Sequence, residues 1–237
     1  MRTIRAIGGP LSQRPFYEER EVERLCAEEL MAVGLYPSAP EPVRIERFIG
    51  KRFGVRVVYE EVPPGVLGYT RFGRNGVEAV VVSRDLAEDG SAVAERRLNT
   101  TLAHEAGHGL LHGHLFVLEE SAESLFGADG EAGRGKIMCR DDSVAHQGRP
   151  AARRYDGRWW EVQANMAIGP LLLPRRLAEK ALDGLLDASS AIGVTNLAPG
   201  AREEAIRRLA TTFEVNAAVA HIRLEVMYPA AGVQLTL

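Results

Sequence analysis

The chain has 237 residues, 46% of them hydrophobic, and sets 29 basic against 32 acidic side chains for a formal net charge of -3. That length can bury a sizeable core, as one large domain or two small ones, and the near balance of charge gives no general argument for a nucleic acid or a membrane as partner. With only Cys26 and Cys139, and no CxxC pair, the sequence offers neither a disulfide framework nor a cysteine zinc knuckle.

The N-terminal stretch "MRTIRAIGGPLSQRP" carries basic residues but no apolar run of signal-peptide length. Runs such as "IGPLLLP" are too short to cross a bilayer. The expectation is a soluble, cytoplasmic protein without a membrane partner. From Glu18 to about Val33 the apolar positions Val22, Leu25, Cys26, Leu30 and Met31 recur at helical spacing, and Gly34 stands as a stop. "EPVRIERFIGKRFG" reads as a second helix, with Pro42 in its first turn and Gly54 at its end. "VRVVYEE", "VLGYTRFG" and "VEAVVVSRD" follow, separated by "PPG" and "GRNG", and predict a small antiparallel sheet of three strands.

Helical periodicity returns from Ser91 to about His112. Residues 113–157 are polar, rich in glycine and charge, and only weakly periodic, which marks an excursion of functional or mobile character. "GRWWEVQANMAIGPLLLPRRLAEKALDGLL" then predicts helix with a kink at Pro170, and "PGAREEAIRRLATTFEVNAAVAHIRLEVM" a final helical pair. The layout is α+β: a single domain over 1–237, divided into 17–112, the excursion 113–157, and 158–237.

"TTLAHEAGHGLLHGH", residues 100–114, holds the chemistry. His104-Glu105-Ala106-Gly107-His108 is HExxH. On a helix, residues four apart share a face about 6 Å apart along the axis, so both imidazoles reach one cation. Glu105 sits one residue round from His104, where a general base belongs and a ligand does not. Leu102, Ala103, Leu110 and Leu111, with small Ala106 and Gly107, predict a buried helix whose polar groups need partners.

Three residues compete for the third ligand position. His114 has the spacing of HExxHxxGxxH proteases but lacks the glycine that pattern needs, since position 111 is leucine. On an unbroken helix it lies about 240° round from His108. His112 shares the face of His108, yet would stand about 12 Å from His104 along the axis, too far for one ion. It is left a supporting role at the helix end. Glu161, on the later helix, completes a His2Glu set, and Asn165 one turn on can accept the free N–H of a ligand histidine. Taken alone, a helix glutamate is usually solvated; beside HExxH the balance reverses.

"LNTTLAHEAGHGLLH" followed by "EVQANMAIGPLLLP" resembles the ImmA/IrrE-type zinc metallopeptidases, whose pattern is AHExGHxxxH, then ExxAN and an apolar stretch ending in proline. "IERFIGKRFGVRVVYEEVP", "GYTRFG", "AVVVS" and "LATTFEVNAAVAHIRLEVM" extend the likeness over roughly residues 18–228, with Asn216 where serine is usual. The resemblance implies a zincin-like metalloprotease domain holding one Zn2+ per chain. It implies His104, His108 and Glu161 as ligands, Glu105 as catalytic base, and Asn165 in support. It also implies a cytoplasmic endopeptidase acting in transcriptional regulation or stress response, whose protein substrate is a helix-turn-helix repressor.

Further expectations concern the surroundings. An extended peptide is expected to pair with "EAVVVS" at a sheet edge, with Tyr69, Tyr155 or His112 stabilising the oxyanion. The excursion, about forty residues longer than the resemblance leads one to expect, carries Cys139 and His146 and reads as a lid, a selecting loop or a self-inhibitory segment. Trp159 and Trp160 are expected to wedge the Glu161 helix against the core. The competing reading is a DNA-binding or metal-sensing regulator without proteolytic activity, with Arg202, Arg207, Arg208 and Arg223 at phosphates. Glutamates interleave with these arginines, so direct nucleic-acid binding is not expected.

Overall fold

The computed structural model describes residues 2–5, 13–126, 136–140, 158–187 and 196–229. Its elements begin with a two-stranded ribbon, β1 (Arg2–Arg5) and β2 (Gln13–Phe16), that the sequence did not announce. Helix α1 (Glu19–Ala32) follows the expected bounds closely. Glu18 and Glu21 close a capping box at its start, and Val22, Cys26 and Leu30 line its fully buried face at a four-residue repeat. Helix α2 (Ile45–Phe53) ends as expected, with Gly54 in the left-handed region at φ 73° and its N–H on the Gly50 carbonyl. It starts at Ile45, so Pro42 precedes it rather than occupying its first turn.

The three expected strands are present as β3 (Val57–Glu60), β4 (Val66–Gly73) and β5 (Gly76–Ser83). They belong to a mixed sheet, not an antiparallel one. Its order is β3-β5-β4-β6, and β3 runs parallel to β5. The reason is connective: the chain passes from β3 to the far side before the tight β4–β5 hairpin returns β5 between them. Two reversals of direction then leave β3 and β5 pointing the same way. The fourth strand, β6 (Lys136–Arg140), comes from the excursion and pairs antiparallel with β4. Val80 and Val82 face the main core, while Tyr69, Ala79 and Val81 cluster on the other face, the period-two alternation of a sheet covered on both sides.

After the short α3 (Arg84–Glu88), helix α4 (Ala92–Phe126) starts where Ser91 Oγ accepts the Ala94 N–H at 3.1 Å. It does not stop near His112. Leu115 and Phe116 carry the apolar face onward, and the Phe116 ring stacks on Phe72 with centroids 4.3 Å apart. Part of the excursion is therefore regular structure. The expected long helix after residue 157 is two helices, α5 (Trp159–Leu172) and α6 (Arg175–Ala181). Pro170 lies inside α5, and the break falls at Pro174, which disfavours helical backbone at Leu173 before it. A small ribbon, β7 (Leu186–Asp187) with β8 (Asn196–Leu197), leads to the expected pair α7 (Arg202–Thr212) and α8 (Ala217–Met227).

Residues 101–108 of α4 are buried all round, which makes this helix the axis of the core rather than a surface element. The sheet covers one side of it and α5 the other. Contacts of α4 with α5 run antiparallel: Gly107 meets Ala164, His104 meets Asn165, and His112 meets Trp159. On the far side of α5, the buried Arg223 of α8 donates to the Leu173 carbonyl at 2.9 Å and forks onto Glu23 of α1. Among the described residues no helix is long and apolar enough to cross a membrane.

Candidate metal centre

His104 and His108 lie one turn apart on α4, and Glu161 lies in the first turn of α5. Gly107 lets the two helices meet at backbone distance: a Cβ there would stand 2.8 Å from the Ala164 carbonyl oxygen. The result is a buried three-donor cluster. His104 Nε2 and His108 Nε2 are 3.0 Å apart, His104 Nε2 and Glu161 Oε2 3.3 Å, and His108 Nε2 and Glu161 Oε1 3.6 Å. Both histidines are fully buried, and Glu161 is 6% exposed. These three residues lie close enough to hold a metal ion.

The donor set tests well against that role. Ligands at bonds of about 2.0–2.1 Å in a tetrahedral arrangement stand about 3.3 Å from one another. The three observed separations bracket that value. His104 Nδ1 lies 2.8 Å from Asn165 Oδ1, so Nδ1 carries the proton and Nε2 is a lone pair. An unprotonated Nε2 cannot donate to Glu161 Oε2, which explains why that buried oxygen has no hydrogen-bond partner among the described residues although it sits 3.3 Å away. Unshared lone pairs converging in a buried site ask for a cation. Burial, with the neighbouring His104 and His112, holds the His108 pKa well below its usual value. Burial likewise presses His112 down to about 3, against the opposing effect of its hydrogen bond to Gln163. Neutral imidazoles are the form a metal takes.

Glu105 is fully buried and turns toward the sheet instead of joining the cluster. Thr70 of β4 donates to its Oε2 at 2.6 Å, and Gly68 leaves room beside Oε1, which has no hydrogen-bond partner among the described residues. Burial raises its pKa to about 8, opposed by His104 and the Thr70 hydrogen bond and reinforced by Glu161.

The remaining sequence expectations divide. Asn165 lies against His104, with Oδ1 2.8 Å from Nδ1, and His112 stays out of the three-donor cluster while contacting His108 through Nδ1 at 3.1 Å. His114 is exposed and outside the cluster. Trp159 is buried with Phe72, Leu115 and Phe116, and its ring stands 5.5 Å from His112, so it does wedge α5 in place. Two oxyanion candidates fall away. Tyr69 follows the sheet alternation to the face opposite Thr70 and donates its hydroxyl to Glu60 at 3.1 Å. His112 has both ring nitrogens engaged, with His108 and with Gln163. Tyr155 and His146 lie outside the described residues. Cys139 is on β6, where its backbone pairs with Gly68.

A peptide strand cannot add to "EAVVVS", because β5 lies between β3 and β4. The other edge of β4 is taken by β6, whose residues 136–140 pair along Val66–Arg71. Sequence reasoning missed Thr70 and Gln163. A threonine in a strand and a glutamine in a helix carry no signal of their own, and both gain meaning only from contacts 35 and 51 residues away. The arginines offered for phosphate contacts meet carboxylates instead: Arg202 binds Glu225, Arg207 and Arg208 bind Glu204, and Arg223 binds Glu23. No family model and no curated protein sequence matches this chain.

Proposed function

We infer that this chain is a zinc-dependent endopeptidase, as the resemblance of its motifs to the ImmA/IrrE-type metallopeptidases implies. The observation that carries the reading is the relation of Glu105 to the donor cluster: a buried carboxyl group beside three side chains close enough to hold a metal, itself not among them. A metal bound for structure alone needs no such neighbour.

His104, His108 and Glu161 would hold the ion. Zinc there supplies Lewis acidity, which brings the pKa of a water molecule toward neutrality and polarises a peptide carbonyl. Glu105 takes the proton of the attacking water on the carboxylate that Thr70 steadies, and returns it to the leaving amine. Asn165 keeps His104 in the tautomer that presents Nε2. The substrate is a protein, and the family likeness points to a helix-turn-helix repressor within the cytoplasm.

Burial favours a second reading. His104, Glu105 and His108 are fully inaccessible, as a metal sensor without peptidase activity allows and a hydrolase must relieve by opening. One experiment separates the two. Zinc-loaded protein is incubated with helix-turn-helix repressors, beside Glu105→Gln as a variant that keeps the ligands. Cleavage by wild type alone supports the peptidase; zinc uptake by both without cleavage supports the sensor.

A further inference from the structure

A line of hydrogen-bonding groups runs outward from the donor cluster, on the side of α5 that Glu161 and Asn165 do not use. Gln163 Nε2 donates to the Pro15 carbonyl oxygen of β2 at 2.6 Å. With its nitrogen committed there, the amide turns Oε1 toward His112 Nε2, 3.0 Å away. An amide oxygen only accepts, so His112 Nε2 carries the proton, and a neutral imidazole has only one. His112 Nδ1 is therefore an acceptor, and it lies 3.1 Å from His108 Nδ1. His108 Nδ1 must donate across that contact. Its Nε2 is left as a lone pair facing Glu161 Oε1 and His104 Nε2.

Resting on the metal-centre reading above, we propose that Gln163 is a positioning residue of that centre. Through His112 it sets His108 in the Nδ1–H tautomer that presents Nε2 to a cation, and the Pro15 carbonyl fixes which way the Gln163 amide faces. His104 receives the same service in one step, from Asn165. His108 receives it in two, because the group one turn beyond it on α4 is His112, itself able to pair in either tautomer until Gln163 decides it. All members of the line are buried, so water does not compete for these contacts. The consequence is a link between the N-terminal ribbon and metal affinity, through residues that touch no metal.

The test combines tautomer and affinity. In metal-free wild type at neutral pH, long-range 1H–15N correlation spectra are expected to show His112 as the Nε2–H tautomer and His108 with its proton on Nδ1. Zinc affinity, measured by competition with a chromophoric chelator, is expected to fall about 10- to 100-fold in Gln163→Leu. Gln163→Glu keeps an oxygen acceptor for His112 but sets its second oxygen against the Pro15 carbonyl, so it is expected to bind zinc more weakly than wild type and more tightly than Gln163→Leu. His112 carrying its proton on Nδ1 in wild type would overturn the proposal. So would a folded Leu variant that binds zinc as tightly as wild type, or a Glu variant as weak as the Leu variant, which would assign Gln163 to anchoring β2 alone. Should Gln163→Leu fail to fold, the wild-type spectra still decide. Zinc refused by wild type would instead defeat the metal-centre reading, and the wild-type tautomers, read without metal, would still judge the line itself.

Discussion

Gly107 of α4 sits against Ala164 of α5 so closely that an added Cβ would stand 2.8 Å from the Ala164 carbonyl oxygen and 3.0 Å from the Ala167 side chain. Those atoms belong to a helix backbone and a buried methyl, neither of which can swing aside. The contact fixes the distance at which Glu161 meets His104 and His108. Gly107→Ala is therefore expected to lower unfolding stability by about 1–3 kcal/mol from overpacking, partly offset by up to about 1 kcal/mol of helix propensity. Zinc affinity should fall in the same variant. Urea unfolding and a chelator titration check both.

Thr70 holds Glu105 through a 2.6 Å hydrogen bond inside the core. Thr70→Val keeps the shape of the side chain and removes the donor, leaving a buried carboxylate oxygen without its partner. The metal content should not change, since the side-chain hydrogen bonds of Thr70 among the described residues go to Glu105 and not to the three ligands. If the chain is a peptidase, kcat should drop on the order of tenfold, about 1.4 kcal/mol, with little change in KM. A variant with unaltered kcat would remove Thr70 from the account.

Glu23 and Arg223 give the pH dependence its sign. Burial pushes the Glu23 carboxyl up, but the Arg223 hydrogen bond and charge, with Arg175, outweigh it, and the net pKa is lowered. A carboxylate depressed in the folded state contributes stability above its unfolded pKa and loses it as the pH falls through the folded value. The Glu23–Arg223 contribution should thus be lost as the pH drops below about 4.5, the ordinary range of a glutamate, on top of the loss that begins below about 6.5 because His108 and His112 are held neutral in the fold. Glu23→Gln, which leaves the buried Arg223 without its counter-charge, should cost about 3 kcal/mol near neutrality and show a flatter acid limb. Thermal unfolding across pH 3–8 measures both.

Much of this architecture was legible along the chain, because its signals are local. The Val22–Cys26–Leu30 repeat, the Gly54 stop and the "GRNG" hairpin each specify their element within a few residues. HExxH specifies a helix face in the same way, and Glu161 with Asn165 repeats the one-turn spacing on a second helix. What escaped depends on contacts between distant residues. The parallel pairing of β3 with β5 follows from strand order, which alternation does not encode. The pairing of residues 136–140 with β4 is set by an edge that β4 offers only after folding. Gln163 looked like any helix glutamine until β2 and His112 were brought to it.

Metal should also appear in the stability. A ligand that binds only the folded state stabilises by about 2.7 kcal/mol at a free concentration 100 times its Kd. Chelation should lower the melting temperature of wild type, and added zinc should restore it. Glu161→Ala should be insensitive to both treatments, since the cluster then lacks its carboxylate.

The most direct test of the central claim is elemental analysis of the purified protein, wild type beside Glu161→Ala and His114→Ala. The expected result is about one zinc per chain in wild type, retained without His114, which is exposed and outside the cluster, and lost without Glu161. A folded wild type that carries no transition metal and takes none up would contradict the account, and would leave His104, His108 and Glu161 as a buried polar cluster of another kind.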